Sequence, residues 1–165
     1  DPGAVLQFIE TRFEAALASI RRDLGADLEY WRARCEYRGA RQLAKGLVAQ
    51  LDGLAGISGD DLPVYEWYRL GGVTLVPGYH HEELKGAQAL AAAVSLRCQT
   101  WGQLRLVARG GAGNVFATTD DITFDGLRWG VGLGLYHPSP IGPVSFEMGV
   151  RDDGGTLASL SVGWN

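Results

Sequence analysis

The sequence has little of several things, and each shortage excludes something. Cysteine occurs twice, as Cys35 and Cys98. Two are too few for a disulfide framework, and they lack the close spacing of metal ligands. No run of about eighteen apolar residues is present, so no transmembrane helix is expected. Cations do not dominate: the net charge is −4. No basic surface advertises nucleic acid as a partner. The opening DPGAVLQF carries no secretory-leader pattern. Apolar residues make up 46% and charged ones 21% of the 165. That balance suits one soluble domain, and equally a membrane barrel, whose alternating strands average out.

Glycine is abundant, at 24 residues, and it concentrates after residue 100. In a helix interior each glycine costs about 0.5–1 kcal/mol relative to alanine. A sheet that something approaches closely can use them.

The last third alternates strictly. In LRWGVGLGLY (127–136), Leu127, Trp129, Val131, Leu133 and Leu135 oppose Arg128, Gly130, Gly132, Gly134 and Tyr136. In PVSFEMGV, Val144, Phe146, Met148 and Val150 oppose Ser145, Glu147 and Gly149. In LASLSVGW, Leu160, Val162 and Trp164 oppose Ser159, Ser161 and Gly163. Period two means strands, and HPSPIGP and RDDGG read as the turns between them. The middle alternates too: Leu104, Leu106 and Ala108 against Arg105, Val107 and Arg109, and Leu90, Val94, Leu96 and Cys98 against Ala91, Ala93, Ser95 and Arg97.

The first third leaves two readings open. It is rich in Ala, Leu, Arg and Glu, which favour helices. As strands it gives VLQFIETRFEAAL, LEYWRARCEYR and QLAKGLVAQLDG, with Trp31, Ala33, Cys35 and Tyr37 opposing Arg32, Arg34 and Glu36. The strand reading makes eight or nine strands of about ten residues, each apolar on one face. Alternation alone does not say which face meets solvent. The aromatics Trp129 and Trp164 at strand ends suit an interfacial girdle.

At YEWYRLGGVTLVPGYHHEELKG the chain resembles the bacterial surface antigen superfamily, the BamA-type outer-membrane barrels. Within it, the resemblance is nearest to barrels fused to patatin-like phospholipases in Gram-negative bacteria. The matching stretches are WYRLGG, VPGYHHEELKG, GAGNVF, WGVGLGLYHPSPIGP and LSVGW, over residues 62–165. Residues 1–61 fit more loosely, as three upstream strands. The resemblance implies an all-β fold: one antiparallel transmembrane β-barrel segment over 1–165, with a loop folded into the lumen. It also implies the outer membrane of a Gram-negative bacterium as the location.

Three departures occur together. In the family a loop arginine pairs inside the lumen with acidic residues on two neighbouring strands. Here those positions are Pro77, Gly111 and Ser95. One loss would strand a charge, but three lost together leave none unpaired. The family's translocation or insertion activity is tied to that loop, so these losses count against carrying it across. The chain is also about half a family barrel in strand count, and no Gly-x-Ser-x-Gly is found for patatin chemistry.

Candidate sites follow. Val76, Pro77, Gly78 and Tyr79 read as the tip of the lumen loop, packed on a wall of Gly130, Gly132 and Gly134, where a backbone can approach. Arg97, Arg105, Arg109, Arg128 and Glu147 read as lumenal charges, an anion-selecting row or a network neutralised by Glu147, Glu36, Glu10 and Glu14. His80, His81, Glu82 and Glu83 lack convergent metal-ligand spacing and read as loop. GGAGN and GVGLG resemble phosphate loops, but no helix follows either. His137 and Ser139 lie in a Pro-flanked turn with no catalytic pattern around them.

The expected protein is therefore no enzyme and has no cofactor or metal. It is a structural, pore-forming or translocation-related outer-membrane barrel component. Its partners are outer-membrane lipid and a second copy or another outer-membrane subunit that closes the barrel. The alternative is a soluble β-barrel module binding a small ligand, with its apolar face inside. The cysteines are expected free, on strands two and five of a meander. Trp31, Trp129, Phe146 and Trp164 are expected to face lipid, and Arg32, Arg105, Arg128 and Glu147 the lumen.

Overall fold

The computed structural model describes residues 7–20, 28–59, 62–100, 102–140 and 142–163, with 7–20 and 28–29 described by backbone pairing alone. The strands are β1 (Gln7–Ile20), β2 (Leu28–Ala44), β3 (Leu47–Ser58), β4 (Tyr68–Leu70), β5 (Leu84–Gly86), β6 (Gln88–Gln99), β7 (Arg105–Phe116), β8 (Arg128–His137), β9 (Val144–Arg151) and β10 (Thr156–Val162). Eight of them form one antiparallel sheet in the order β1-β2-β3-β6-β7-β8-β9-β10, and β4 pairs with β5 apart from it. Each long strand neighbours the next along the sheet, and β1 and β10 are its edges among the described residues.

The helix-forming first third is strand. Its helix propensities are worth only tenths of a kcal/mol per residue. Against them stands continuous pairing of β2 with β1 on one side and β3 on the other. The stretch QLAKGLVAQLDG is not one strand, however. Lys45 and Gly46 turn the chain inside it, with Gly46 at φ 78°. Left-handed backbone is open to glycine at no steric cost, so the glycine and not the helix formers sets the hairpin.

The two faces of the sheet differ sharply. On one, Leu51, Ile57, Val94, Leu96, Leu106, Val131, Leu133, Met148 and Val150 are all exposed, as are Trp129 (51%), Phe146 (45%) and Leu160 (69%). Trp31 on β2 is exposed as well. On the other face Asp52, Gln50, Ser95 and Glu147 are buried. The soluble module with its apolar face inside is therefore overturned: here the apolar side chains point out and the polar ones in. A contiguous apolar face of this size is not left in water by a monomeric soluble domain. Trp164 lies outside the described residues, as do the side chains of Glu10 and Glu14.

The core lies between the polar-facing side of the sheet and the long β3–β6 connection. Leu54, Ala89 and Ala91 of the sheet pack with Tyr68, Leu70, Val76 and Tyr79 of the connection. Cys35 and Cys98 are free. Cys98 stands on β6, the fourth strand of the sheet and not the fifth of a meander, because β4 and β5 leave the sheet to build the connection. The two cysteines are thus two strand spacings apart, about 10 Å, which still exceeds disulfide reach.

Candidate functional site: the folded-in loop and the charged face

After β3 the chain makes a short turn at Val64–Glu66 and pairs β4 with β5, Tyr68 opposite Gly86 and Leu70 opposite Leu84. Arg32 of β2 holds the turn through a 2.9 Å ion pair to Glu66. The Tyr68 hydroxyl lies 2.7 Å from the Ala33 carbonyl and 3.0 Å from that of Ile57. Gly56 makes room for it, since a Cβ there would come 2.5 Å from the ring.

Between β4 and β5 the loop closes on itself. Gly71 (φ 127°) and Gly72 (φ 89°) reverse the chain in left-handed backbone. The Gly72 amide donates to the Tyr79 carbonyl at 3.1 Å, and the Val76 amide to the Gly72 carbonyl at 3.2 Å. This presses Val76, Pro77, Gly78 and Tyr79 onto the sheet, all four buried, with Val76 at 0% exposure. Gly78 supplies the tight turn at φ 87°.

The loop docks backbone to backbone. A Cβ added at Gly111 would overlap the Leu75 carbonyl oxygen, and one at Gly130 the Pro77 carbonyl oxygen. One at Gly149 would overlap the Gly78 amide, and one at Gly132 would lie 3.1 Å from the Pro77 Cβ. The wall is thus Gly111, Gly130, Gly132 and Gly149, on three neighbouring strands. Gly134 is a correction: its nearest atoms are Tyr136 Cε2 at 3.0 Å and Glu147 Cγ at 3.2 Å, not loop atoms. The loop tip crosses the sheet nearer the β8 start, so the far glycine serves side-chain packing instead.

Side chains clamp what the glycines admit. The Tyr79 hydroxyl hydrogen-bonds to Asp152. Arg151 stacks 5.1 Å above the Tyr79 ring and reaches Glu83 at 2.8 Å and Asp153 at 2.8 Å. Arg109 donates to the Val73 carbonyl at 3.1 Å and to the Tyr136 hydroxyl at 3.1 Å, with Glu147 3.5 Å away. Outside the strands, the Gly155 amide and then Arg151 hold the Asp153 carboxyl below the usual carboxylate range. Arg69 does the same for Glu82.

The charged residues fall into three groups. Arg97, Arg105 and Arg109 stand together toward the β6–β7 hairpin. Arg128 is at the other end of the sheet, 3.7 Å from Asp152. On β2 and β3, Arg34 pairs with Glu36, and Arg38 meets Asp52 at 2.8 Å, with Gln50 donating to the same carboxylate at 2.7 Å. Asp52 is a counter-charge that sequence reasoning missed, although it occupies a polar-face position in the β3 alternation. His80 donates its amide to Glu83 at 2.7 Å, and the His81 side chain is exposed. GGAGN and GVGLG lie inside β7 and β8. His137 ends β8, and Ser139 bonds within the following turn.

A sheet that buries polar side chains under a folded-in loop and presents an apolar face outward is the wall of a membrane β-barrel. The chain belongs to the Omp85 superfamily: the family model for the Omp85 superfamily domain matches residues 8–158. Among solved structures, BamA from Haemophilus ducreyi lacking POTRA domains 1–3 is similar, with a TM-score of 0.67 and 18% identity. The match covers 83% of this chain and 36% of that one, so the chain spans about a third of its length. At that identity the likeness concerns the fold. No curated protein matches the chain.

Proposed function

We propose that this segment is a part-wall of an outer-membrane barrel that closes by assembly, with a second copy or with another outer-membrane subunit. It serves as a structural or pore-forming component and not as an enzyme. The observation that carries this reading is the loop on the polar side: Val76, Pro77, Gly78 and Tyr79 are buried against the sheet, while large apolar side chains such as Trp31, Val131, Phe146 and Leu160 stand exposed on the other face. Among the described residues β1 and β10 each pair on one side only. Lipid offers no partner to edge amides and carbonyls, so an open sheet does not persist there. Closing β1 on β10 within one chain would give a narrow eight-stranded barrel, whose interior only side chains fill. Residues 71–83 already occupy that space, so the loop favours a wider lumen. The resemblance to barrels fused to patatin-like phospholipases fits a barrel part that accompanies a second domain.

Outer-membrane barrels have short periplasmic turns and longer outer loops. The β2–β3, β6–β7 and β8–β9 connections share one end of the sheet, and the β3–β6 connection leaves from the other. On this reading the short-turn end faces the periplasm and the loop enters the lumen from outside.

The test is the mass of the detergent-solubilised particle. A protein mass that is a multiple of 17.7 kDa, or that includes a second subunit, is expected. A single copy that is heat-modifiable and folded would overturn assembly, and a protein that stays in the aqueous phase would overturn the membrane reading itself.

A further inference from the structure

The glycine wall and the loop account for one end of the polar face. The short-turn end is built differently. There β6 and β7 place Arg97, Arg105, Arg109 and Ser95 on the same side: Ser95 pairs directly with Arg109, and Arg97 with Val107, midway between the two β7 arginines. Directly opposed residues in a sheet lie about 5 Å apart and diagonal ones about 7–8 Å. Arg97 therefore stands within reach of Ser95 and of both Arg105 and Arg109.

The counter-charges do not match. Arg109 is engaged by Val73, Tyr136 and Glu147. For Arg97 and Arg105 there is no carboxylate within 4 Å among the described residues. Arg109, Arg38 and Arg105 all act on Arg97, and the carboxylate that acts on it most, Asp52, is already held by Arg38 and Gln50. Two adjoining hollows of about 440 and 400 Å³ are both lined by Arg97 and Arg109. Arg105, Tyr136, His137 and Pro138 line the first, and Ser95 the second. The Ser95 side chain supplies a second, independent sign. It is only 4% exposed, and its hydroxyl is buried with no hydrogen-bond partner among the described residues. A buried hydroxyl without a partner costs about 1–3 kcal/mol, which a ligand oxygen would relieve.

We propose that Arg97, Arg105 and Ser95 form a binding site for a phosphate-type oxyanion at the short-turn mouth of the lumen. The inference rests on the lumenal reading of this face. Guanidinium forks match a tetrahedral oxyanion two oxygens at a time, and the serine hydroxyl donates to a third. Arg109, fixed by its own bonds, adds charge to the far wall without needing to move. A phosphorylated solute and a phospholipid headgroup share this chemistry.

The experiment uses the full chain in detergent, after its mass and heat-modifiable mobility have been measured, and titrates it calorimetrically with inorganic phosphate. Saturable binding is expected. Arg97→Gln and Arg105→Gln should each weaken it about tenfold or more, the loss of one charge-assisted pair. Ser95→Ala should weaken it severalfold. Lys45→Gln removes an equal charge from the neighbouring exposed turn and should leave affinity unchanged. Ser95→Ala removes a single atom, so it keeps the test available if an arginine variant fails to fold. Repeating the titration in phosphatidylcholine vesicles with and without phosphatidic acid names the source. Competition by phosphatidic acid identifies a headgroup site, and persistence of phosphate binding identifies a solute site; both support the proposal. A folded particle of the expected mass that shows no saturable binding, or that loses affinity equally with Lys45→Gln, overturns this inference and leaves the assembly reading standing.

Discussion

Gly110 and Gly111 are neighbours on β7 and face opposite sides of the sheet. A Cβ at Gly110 would meet nothing nearer than Val131 Cγ1 at 3.9 Å, whereas one at Gly111 would overlap the Leu75 carbonyl. The same residue type thus does two jobs one position apart. On the outward face glycine is merely small among exposed aliphatic side chains. On the inward face its missing side chain is the seat of the loop. The difference teaches that the inward face gains its order from backbone contact and the outward face only from its solvent, which on this reading is lipid.

The sharpest way to break that comparison is Gly130→Leu. The atom in its way is the Pro77 carbonyl, which cannot rotate aside as a side chain can. A loss above about 3 kcal/mol is expected, at the top of the overpacking range, together with proteolytic cleavage of the displaced loop between residues 71 and 83. Gly110→Ala should change neither stability nor cleavage. Matching behaviour in the two variants would show that the loop does not lie on the wall.

Charge probes the outward face. Phe146→Arg should cost about 2–4 kcal/mol if residue 146 lies near the bilayer midplane, and less near an interface. Urea unfolding in vesicles measures it. Arg105→Ser, on the inward face, should be mild, because among the described residues no carboxylate lies within 4 Å of Arg105. Equal tolerance at both positions would argue against lipid on the outward face.

The missing arginine lock sharpens the inward face further. Pro77 is fully buried beside Gly132, with Arg109 and Glu147 lining the same small hollow. Pro77→Arg would place a second cation where Arg109 already holds the carboxylate, at a cost of about 1–3 kcal/mol. Pairing it with Gly111→Asp looks like the restoration of the family's lock from sequence alone. The structure predicts the opposite, since any Cβ at 111 collides with Leu75. In a double-mutant cycle read by gel mobility, the coupling should be unfavourable or nil. A favourable coupling would mean that the loop shifts to readmit the lock.

The smallest effect belongs to the β9–β10 turn. The folded state depresses the Asp153 carboxyl, so its contribution is present above the unfolded value of about 3.9 and fades as pH falls through the lower folded value. Asp153→Asn should therefore flatten a slight loss of turn order below about pH 4, followed by amide exchange at Gly155. The residue is exposed, so an unchanged profile at higher pH is part of the expectation.

Much of this was legible in the residues. Period-two alternation assigned opposite faces correctly from β6 through β10, because successive side chains of a strand must point apart. The Pro77-Gly78-Tyr79 turn was legible too, because proline and glycine fix backbone angles locally. What the pattern left open was which face looks outward, since alternation is the same for a sandwich and for a barrel. Only the packing of a loop onto the polar side decided that. Tertiary structure also decided which glycines form the wall. Gly111, Gly130, Gly132 and Gly149 are scattered along the chain, and they meet only through the registers of β7, β8 and β9. Gly134 continues the same glycine–aliphatic alternation as Gly132, yet it packs on Tyr136 and Glu147. A strand's neighbours in sequence set the direction of a side chain, but what that side chain meets is set by strands far along the chain.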